Sequence, residues 1–281
     1  MIGPEQTAAY RRDGFLHLPD FFAADEVHAI RLQAAEVFRT QFRRFGIPAP
    51  EATDEPAFTD SMQRLFQSQL PVFVNCGKQA QHLTALHRLS LEPRILETLG
   101  QLGLGRPVIS TRPVLFFNSR RLATKDVYWR VFPHQDWRSM QGSLDSVVVW
   151  LPLMDITPEI GPLEIVPGSH RDGLVTDTVV EGFGQVPTSY LANKTFQSVP
   201  CRIGDALFFS SFLVHQSGTN VTDGIRWSCH FRYNNLDDPS FIERGYVHPY
   251  LYKPSDELLT PDYPVNLKLT DIFPASTTNA S

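Results

Sequence analysis

Hydrophobic positions in the first hundred residues recur at the spacing of α-helices. In residues 24–45 the apolar side chains fall on one helical face, and Arg43 and Arg44 stand at the end of the stretch. Basic residues suit the C-terminal end of a helix dipole, and Gly46 is a typical residue to follow a helix. The pattern therefore predicts a helix over 24–45. Two further stretches predict helices, 79–89 and 92–102.

Beyond residue 107 the pattern changes to short runs rich in β-branched and aromatic residues, which Gly, Pro and Asn separate. The runs that predict strands are 108–118, 146–153, 163–166, 206–209 and 225–233. No helical stretch alternates with these strands, so the sequence predicts an antiparallel sandwich or barrel in an α+β, mainly β, chain.

The organisation of the chain predicts a single domain of residues 1–281. No Gly/Ser-rich or Pro-rich linker marks a boundary near residue 105. We expect a helical N-terminal part over about 1–105, a β core over about 106–235 and a C-terminal extension over 236–281. Two long connections, 119–131 and 171–199, are candidates for a lid over a binding site.

Composition excludes several classes of protein. The net charge is −5 and no segment is strongly basic, so a nucleic-acid partner is not expected. The three cysteines are far apart, which argues against a disulfide framework or a thiolate zinc site. The chain shows no signal peptide and no apolar run long enough to span a membrane. These features predict a cytoplasmic protein without membrane partners, and they leave its oligomeric state open.

Two His-x-Asp motifs are candidates for a metal site, His134 with Asp136 and His170 with Asp172. Nine histidines and thirty acidic residues make such matches expected by chance, so the motif alone proves nothing. A non-haem iron site needs two histidines and one carboxylate on one side of the metal. If residues 131–137 form a strand, His134 and Asp136 point to the same side, because side chains alternate along a strand.

A third ligand and an anion anchor are available later in the chain. His215 lies in the segment 208–218, which is typical of a buried strand followed by a turn. Arg226 follows eleven residues later, inside an apolar run where an unpaired charge would be unfavourable. An arginine there suits the distal carboxylate of 2-oxoglutarate, because a guanidinium binds carboxylates through two hydrogen bonds. A salt-bridged structural arginine is the alternative.

Five segments in order resemble the phytanoyl-CoA dioxygenase family of Fe(II)/2-oxoglutarate oxygenases. The resemblance covers about residues 8–235 and includes the family's N-terminal signature, its metal segment, its core strand with a tryptophan, its Gly-Pro to Ser-His turn and its distal His-Gln-Ser-Gly with a later arginine. These segments are Tyr10–Phe22, Pro133–Trp137, Val147–Leu153, Gly161–His170, and His215–Gly218 with Arg226. In the family the Pro-Gly-Ser-His turn is structural, which favours His134 and Asp136 over His170 and Asp172.

The resemblance implies a double-stranded β-helix, the jelly-roll or cupin-like fold, with N-terminal helices packed on one sheet. It implies iron held by His134, Asp136 and His215. It also implies that the co-substrate 2-oxoglutarate is bound by four residues: Arg226, Ser217, Gln135 and Trp150. Halogenating relatives have a small residue in place of the carboxylate. Because Asp136 is present, the resemblance implies hydroxylation or another oxidation with O2.

The sequence says less about the substrate. The candidate pocket residues are Phe117, Asn118, Trp137, Arg138 and Arg232. The arginines suit an anionic group, whereas the aromatic residues suit an apolar one. Structural packing and salt bridging are the alternatives for each. No basic cluster for coenzyme A is present in this acidic chain, so we expect a small free metabolite, as for family members of secondary metabolism.

The sequence therefore predicts an oxygenase that hydroxylates, or otherwise oxidises, an unactivated C–H bond of a small metabolite and releases succinate and CO2. One alternative is a non-catalytic jelly-roll protein that senses 2-oxoglutarate or a metal. Another is a zinc hydrolase, because two histidines and one carboxylate also suit catalytic zinc. Arg226 has no role in the hydrolase.

Overall fold

Nine α-helices are found in the part of the chain that the computed structural model describes, which is residues 2–53, 55–123, 131–175, 178–180 and 183–248. They are α1 (Pro4–Asp13), α2 (Ala24–Arg44), α3 (Glu55–Ser68), α4 (Leu70–Ala80), α5 (Thr84–Ser90), α6 (Pro93–Leu102), α7 (Trp137–Met140), α8 (Thr188–Leu191) and α9 (Pro239–Glu243). The predicted helices over 24–45 and 92–102 are confirmed as α2 and α6.

The same residues contain eleven β-strands. They are β1 (Phe15–Leu18), β2 (Pro107–Ile109), β3 (Val114–Asn118), β4 (Val147–Pro152), β5 (Leu163–Ile165), β6 (Thr178–Val180), β7 (Phe183–Gln185), β8 (Gln197–Val199), β9 (Ala206–Ser210), β10 (His215–Ser217) and β11 (Arg226–Asn235). All of their pairings are antiparallel, as the sequence predicts.

The strands form two main sheets. The large sheet has the order β1-β9-β4-β11-β2, and β3 also pairs with β11. The small sheet has the order β10-β5-β8, and β6 and β7 form a separate hairpin. Apolar side chains of the two sheets, including Trp150, Phe209 and Leu163, form one buried cluster. The sheets therefore pack face to face, with this cluster between them.

Alternation along β11 assigns its two faces to different neighbours. Trp227, Cys229 and Phe231 belong to the largest core cluster, together with helical residues such as Phe38 of α2 and Phe58 of α3. These odd-numbered side chains therefore point to the helices. The even-numbered residues, among them Arg226, point to the space between the sheets, because neighbouring side chains on a strand face opposite ways.

The structure corrects several predicted elements. The predicted helix over 79–89 is wrong in its bounds, because α4 ends at Ala80 and α5 begins at Thr84. The predicted strand over 108–118 is divided into β2 and β3, with Pro113, which lacks a backbone donor, between them. Helices α1, α3 and α4 have no counterpart among the predictions.

Residues up to His248 form one compact unit, and the remainder of the predicted extension, 249–281, lies outside the described residues. None of the described helices has both the length and the apolar character that a membrane crossing requires. The predicted loop 171–199 contains α8, β6, β7 and β8. In the other loop, residues 124–130 lie outside the described residues, so the lid assignment stays a prediction.

Candidate metal centre and anion pocket

The two histidines of the predicted metal site face each other across an isolated antiparallel bridge. The backbone amide of His134 donates to the carbonyl of His215 at 3.0 Å, and the reverse bond measures 3.1 Å. Their ring centroids are 4.1 Å apart. The bridge brings together two residues that are far apart in the sequence, and it fixes both imidazoles at the edge of the small sheet.

Backbone carbonyls set the orientation of both imidazole rings. Nδ1 of His134 lies 2.8 Å from the carbonyl of Phe132, and Nδ1 of His215 lies 2.9 Å from that of Leu213. A carbonyl can only accept a hydrogen bond, so each neutral ring carries its proton on Nδ1. Nε2 of each ring is then left with a lone pair, which is the arrangement that metal-binding histidines use.

Asp136 completes the cluster, although not on a strand. Its backbone is helical and it is the N-cap of α7, so the condition that residues 131–137 are extended is not met at this residue. The Oδ1 atom of Asp136 lies 3.6 Å from Nε2 of His134. The ligand atoms of His134, Asp136 and His215 all lie within 4.8 Å of one another. This donor set, two imidazoles and one carboxylate, can hold a divalent metal ion.

Burial and nearby charges keep Asp136 and His215 in metal-binding protonation states. Burial alone would raise the pKa of the Asp136 carboxyl, but the charge of Arg232 outweighs it and holds that pKa well below its ordinary value. An Nη atom of Arg232 donates to Asp136 Oδ1 at 2.8 Å. Burial, with a contribution from His134, lowers the pKa of His215 to about 3. The ring is therefore neutral at pH 7.

Arg226 is the second feature of the site. Its side chain is 1% exposed, and Nη2 donates to the Ser217 hydroxyl at 3.4 Å. Nη1 donates to the carbonyl of Gly161, and Nε has no hydrogen-bond partner. Burial lowers the pKa of Arg226 to about 10, so the group stays charged at neutral pH. No carboxylate of the described residues forms an ion pair with it, which leaves a buried cation ready for an anionic ligand.

One cavity of about 50 Å³ connects the cluster with Arg226. Side chains of both sheets and of the metal segment line it. They are Phe116, Val131, His134, Asp136, Val148, Trp150, Leu163, Phe209, His215, Gln216, Ser217, Arg226, His230 and Arg232. The cavity therefore contains the three predicted metal ligands and three of the four predicted co-substrate residues.

The structure brings Ser217 and Trp150 to the cavity and leaves Gln135 out. The guanidinium of Arg226 lies over the Trp150 ring at 6.0 Å. The Gln135 side chain is bonded elsewhere: its Nε2 donates to the carbonyls of Gly173 and Phe212, and its Oε1 accepts from the Val175 amide. All of its polar atoms therefore hold the backbone together, and it does not line the cavity.

Two of the predicted substrate residues, Phe117 and Asn118, also lie away from the cavity. Phe117 points to the helices and packs edge-on against Trp227, with ring centroids 4.6 Å apart, and Phe116 lines the cavity in its place. Asn118 is buried and donates to the carbonyl of Gly218 at 3.2 Å. It therefore joins the end of β3 to the turn after β10.

The other three predicted substrate residues are divided. Trp137 stacks on Phe212 with ring centroids 5.1 Å apart and donates to the carbonyl of Ser143. Neither it nor Arg138 lines the cavity. Arg232 does line it, but through its hydrogen bond to Asp136. It holds the carboxylate of the metal cluster, which differs from the predicted contact with an anionic substrate.

His230 is a cavity residue that the sequence reasoning missed. It lies on β11 between Arg226 and Arg232, and burial together with the charge of Arg232 holds its pKa well below the ordinary value. The signal was available in the sequence. Counting by two from Arg226 along a strand places residue 230 on the same face.

The second His-x-Asp motif serves the fold. The imidazole of His170 packs directly on Gly14, where φ is +81° and a side chain would collide with the ring. Its Nε2 lies 3.1 Å from the carbonyl of Arg11. Asp172 accepts hydrogen bonds from Tyr190 and Lys194. His170 and Asp172 therefore lie outside the cluster that His134 and Asp136 form with His215.

Comparison with known proteins places these features in a wider group. A family model described as phytanoyl-CoA dioxygenase (PhyH) matches residues 10–228. The phytanoyl-CoA dioxygenase of Arabidopsis thaliana is 26% identical over 252 residues, which cover 80% of this chain and 86% of the relative.

Solved structures share the fold. The epimerase SnoN in complex with Fe3+, alpha ketoglutarate and nogalamycin RO aligns with a TM-score of 0.54 and 21% identity, over 82% of each chain. EctD from S. alaskensis, with 2-oxoglutarate and 5-hydroxyectoine, aligns with a TM-score of 0.54 and 22% identity, over 84% of this chain and 77% of that one. These likenesses confirm the predicted double-stranded β-helix with additional helices.

Proposed function

Because the chain belongs to the phytanoyl-CoA dioxygenase family, we propose that it hydroxylates an unactivated C–H bond of a small metabolite. It is a non-haem oxygenase that depends on Fe(II), 2-oxoglutarate and O2. When bound, iron and 2-oxoglutarate supply the activation of oxygen, with conversion of the co-substrate to succinate and CO2. The protein's own residues bind, orient and shield these groups.

The residues of the cavity fit both groups. We assign iron to the Nε2 atoms of His134 and His215 and to the carboxylate of Asp136, because this donor set is typical of non-haem Fe(II) sites. The observation that carries the proposal is Arg226, a buried guanidinium that lies beside this cluster, in the same cavity, without a carboxylate partner among the described residues. A dicarboxylate that spans from the metal to Arg226 would neutralise both ends.

Three further residues have roles in this arrangement. Ser217 would share the distal carboxylate with Arg226, since its hydroxyl already lies within hydrogen-bond distance of the guanidinium. Trp150 forms an apolar wall of the pocket and excludes water from the bound co-substrate. Arg232 orients Asp136 through its hydrogen bond to Oδ1, which leaves Oδ2 for the metal.

Hydroxylation of a small metabolite is the finer part of the proposal. Asp136 supports it, because a carboxylate at this position fills the place that a halide needs in halogenating relatives. The structural neighbour EctD was solved with 5-hydroxyectoine, a small hydroxylated compound. The net charge of −5 disfavours a coenzyme A thioester, because its phosphates would be repelled.

The experiment is an anaerobic titration of the purified protein with Fe(II) and then with 2-oxoglutarate. A visible charge-transfer band is expected from the chelate, and admission of O2 should convert 2-oxoglutarate to succinate. Candidate metabolites that shift the band and increase the succinate yield are substrates, and mass spectrometry should find an added oxygen atom in the product.

Two variants form a matched pair for this test. Asp136→Ala should lose the band and the succinate, because it removes one metal ligand. Asp172→Ala changes the other His-x-Asp motif, which lies outside the cavity, and should retain both. Absence of the band from well-folded wild-type protein would contradict the proposal. A band without turnover of any metabolite would favour the sensor, and stoichiometric zinc would favour the hydrolase.

A further inference from the structure

His230 lines the cavity and has an unsatisfied hydrogen-bonding atom. Its Nε2 is buried and has no partner, although the side chain lines the cavity. A buried polar atom without a partner destabilises a folded protein, because it loses its hydrogen bonds to water and gains none in return. Because the His230 side chain lines the cavity, a ligand bound there can supply the missing partner.

The place of His230 on β11 indicates which part of the ligand it meets. Arg226, His230 and Arg232 share the cavity face of the strand. At a rise of about 3.3 Å per residue, His230 is roughly 13 Å along the strand from Arg226 and roughly 7 Å from Arg232. Arg232 is bonded to Asp136, so His230 lies towards the metal end of the row and Arg226 marks the other end.

The neighbours of His230 belong to the same pocket. Its cross-strand partner on β4 is Trp150, which also lies against the guanidinium of Arg226. The cavity of about 50 Å³ is narrow, and His230, Trp150 and Arg226 all line it. A co-substrate that fills it therefore contacts the lining residues, and a neutral imidazole there can donate one hydrogen bond to an oxygen atom.

We propose that His230 is a positioning residue that donates a hydrogen bond from Nε2 to the metal-chelating end of 2-oxoglutarate. This inference rests on the proposed function, since it concerns the same site. Arg226 would fix the distal carboxylate and His230 the 1-carboxylate and 2-oxo end, so the two residues hold the co-substrate at opposite ends. His230 would thereby fix the orientation of the bound co-substrate.

Binding experiments with two ligands distinguish contacts to the two ends of the co-substrate. 2-Oxoglutarate has both ends, whereas 2-oxobutyrate has the chelating end and lacks the distal carboxylate. Each is titrated anaerobically into the Fe(II)-loaded protein, and the dissociation constant is taken from the charge-transfer band. His230→Phe should raise the dissociation constant of both ligands by a similar factor, about 10-fold or more, because a hydrogen bond to a charged group is lost.

Variants of two residues serve as comparisons. Arg226→Met should weaken 2-oxoglutarate and leave 2-oxobutyrate nearly unchanged. His230→Gln should restore part of the affinity for both ligands, because its amide can donate from a place near the imidazole Nε2. The metal-free His230→Phe protein should unfold at the same or a higher temperature than wild type, since the variant removes a buried unsatisfied atom.

Other outcomes overturn the inference. Unchanged affinity of His230→Phe for both ligands, or a loss for 2-oxoglutarate alone, would show that His230 does not bind the chelating end. A lower unfolding temperature with no rescue by His230→Gln would indicate a structural residue. Absence of the band from wild-type protein contradicts the proposed function itself, whereas the other failures occur with the wild-type band intact.

Discussion

Single residues in this protein store unfavourable interactions that a ligand can relieve. Arg226 is a buried cation without a carboxylate partner among the described residues, and its Nε has no hydrogen bond. His230 lines the same cavity and its Nε2 has no hydrogen-bond partner. Isolated charges and unsatisfied polar atoms are costly in a protein interior. Without ligands these two residues therefore lower the stability of the protein. They are already in place to bind an anion.

Asp136 and Arg232 give a prediction at the same scale. In Arg232→Met the carboxylate stays buried but loses its cation, so the pKa of Asp136 should rise. A proton then competes with the metal for the carboxylate. We expect the metal affinity of the variant to fall by about 10-fold more than that of wild type between pH 8 and pH 6.

Calorimetric titration with Fe(II) or Mn(II) under argon measures this difference. Arg202→Met is a suitable control, because Arg202 is exposed and pairs with Asp20 on the surface. Equal pH dependence in Arg232→Met and wild type would show that Arg232 does not control the charge of Asp136.

At the scale of elements, side chains alternate along β3 and β11, so that one set packs against the helices and the other set faces the cavity. Phe117 and Trp227 are register partners on the helix side, and Phe116 and Ser228 are partners on the cavity side. The sequence predicts β3, but Phe117, a predicted pocket residue, faces the helices and Phe116 faces the cavity. A shift of one residue exchanges the two faces of a strand. Nothing local to the sequence of β3 distinguishes two adjacent phenylalanines.

Phe116→Ala and Phe117→Ala test this assignment as a matched pair. Phe117 packs against Phe38, Phe73 and Trp227, so its loss should lower the free energy of unfolding by about 3 kcal/mol. Phe116 lies 5.8 Å from the guanidinium of Arg226, so its loss should weaken 2-oxoglutarate binding several-fold.

Urea denaturation and the anaerobic titration measure the two effects. The assignment predicts that stability falls more in Phe117→Ala and that co-substrate affinity falls more in Phe116→Ala. The reverse ranking in either measurement would place the faces of β3 the other way round.

The whole molecule is expected to lose stability in mild acid when it is free of metal. Burial lowers the pKa of His215 from 6.5 to about 3 and holds that of His230 well below 6.5. Between pH 6.5 and the lowered pKa values of the folded state, the two histidines are protonated in the unfolded chain and neutral in the folded chain. The stabilisation is therefore complete above about pH 6.5 and decreases as the pH falls towards the folded values.

Denaturation of the metal-free protein at several pH values between 7.5 and 5 measures this loss. Each of the two histidines should contribute about 1.4 kcal/mol per pH unit below pH 6.5. In His230→Phe the free energy of unfolding should depend less steeply on pH, because the contribution of one histidine is lost. A free energy of unfolding that stays constant down to pH 5 would contradict the assignment of both rings as buried and neutral.

The sequence by itself determined the parts that depend on neighbouring residues. Helical spacing gave α2 and α6, short apolar runs gave an antiparallel fold, and compact motifs gave the positions of His134, Asp136, His215 and Arg226. These signals are local, because they follow from side-chain periodicity and from chemistry that needs fixed residue types. The roles of these residues remain proposals, although the structure places them in one cavity.

Only the tertiary structure decided which side chains face that cavity. Gln135 and Phe117 do not line the cavity, whereas Phe116 and His230 do. Arg232 is hydrogen-bonded to Asp136, which is 96 residues away in the sequence. Strand register, the bridge between His134 and His215 and the packing of two sheets produce these contacts. They depend on pairings between distant segments, which a single sequence does not specify, because each strand can present either face until its partners fix it.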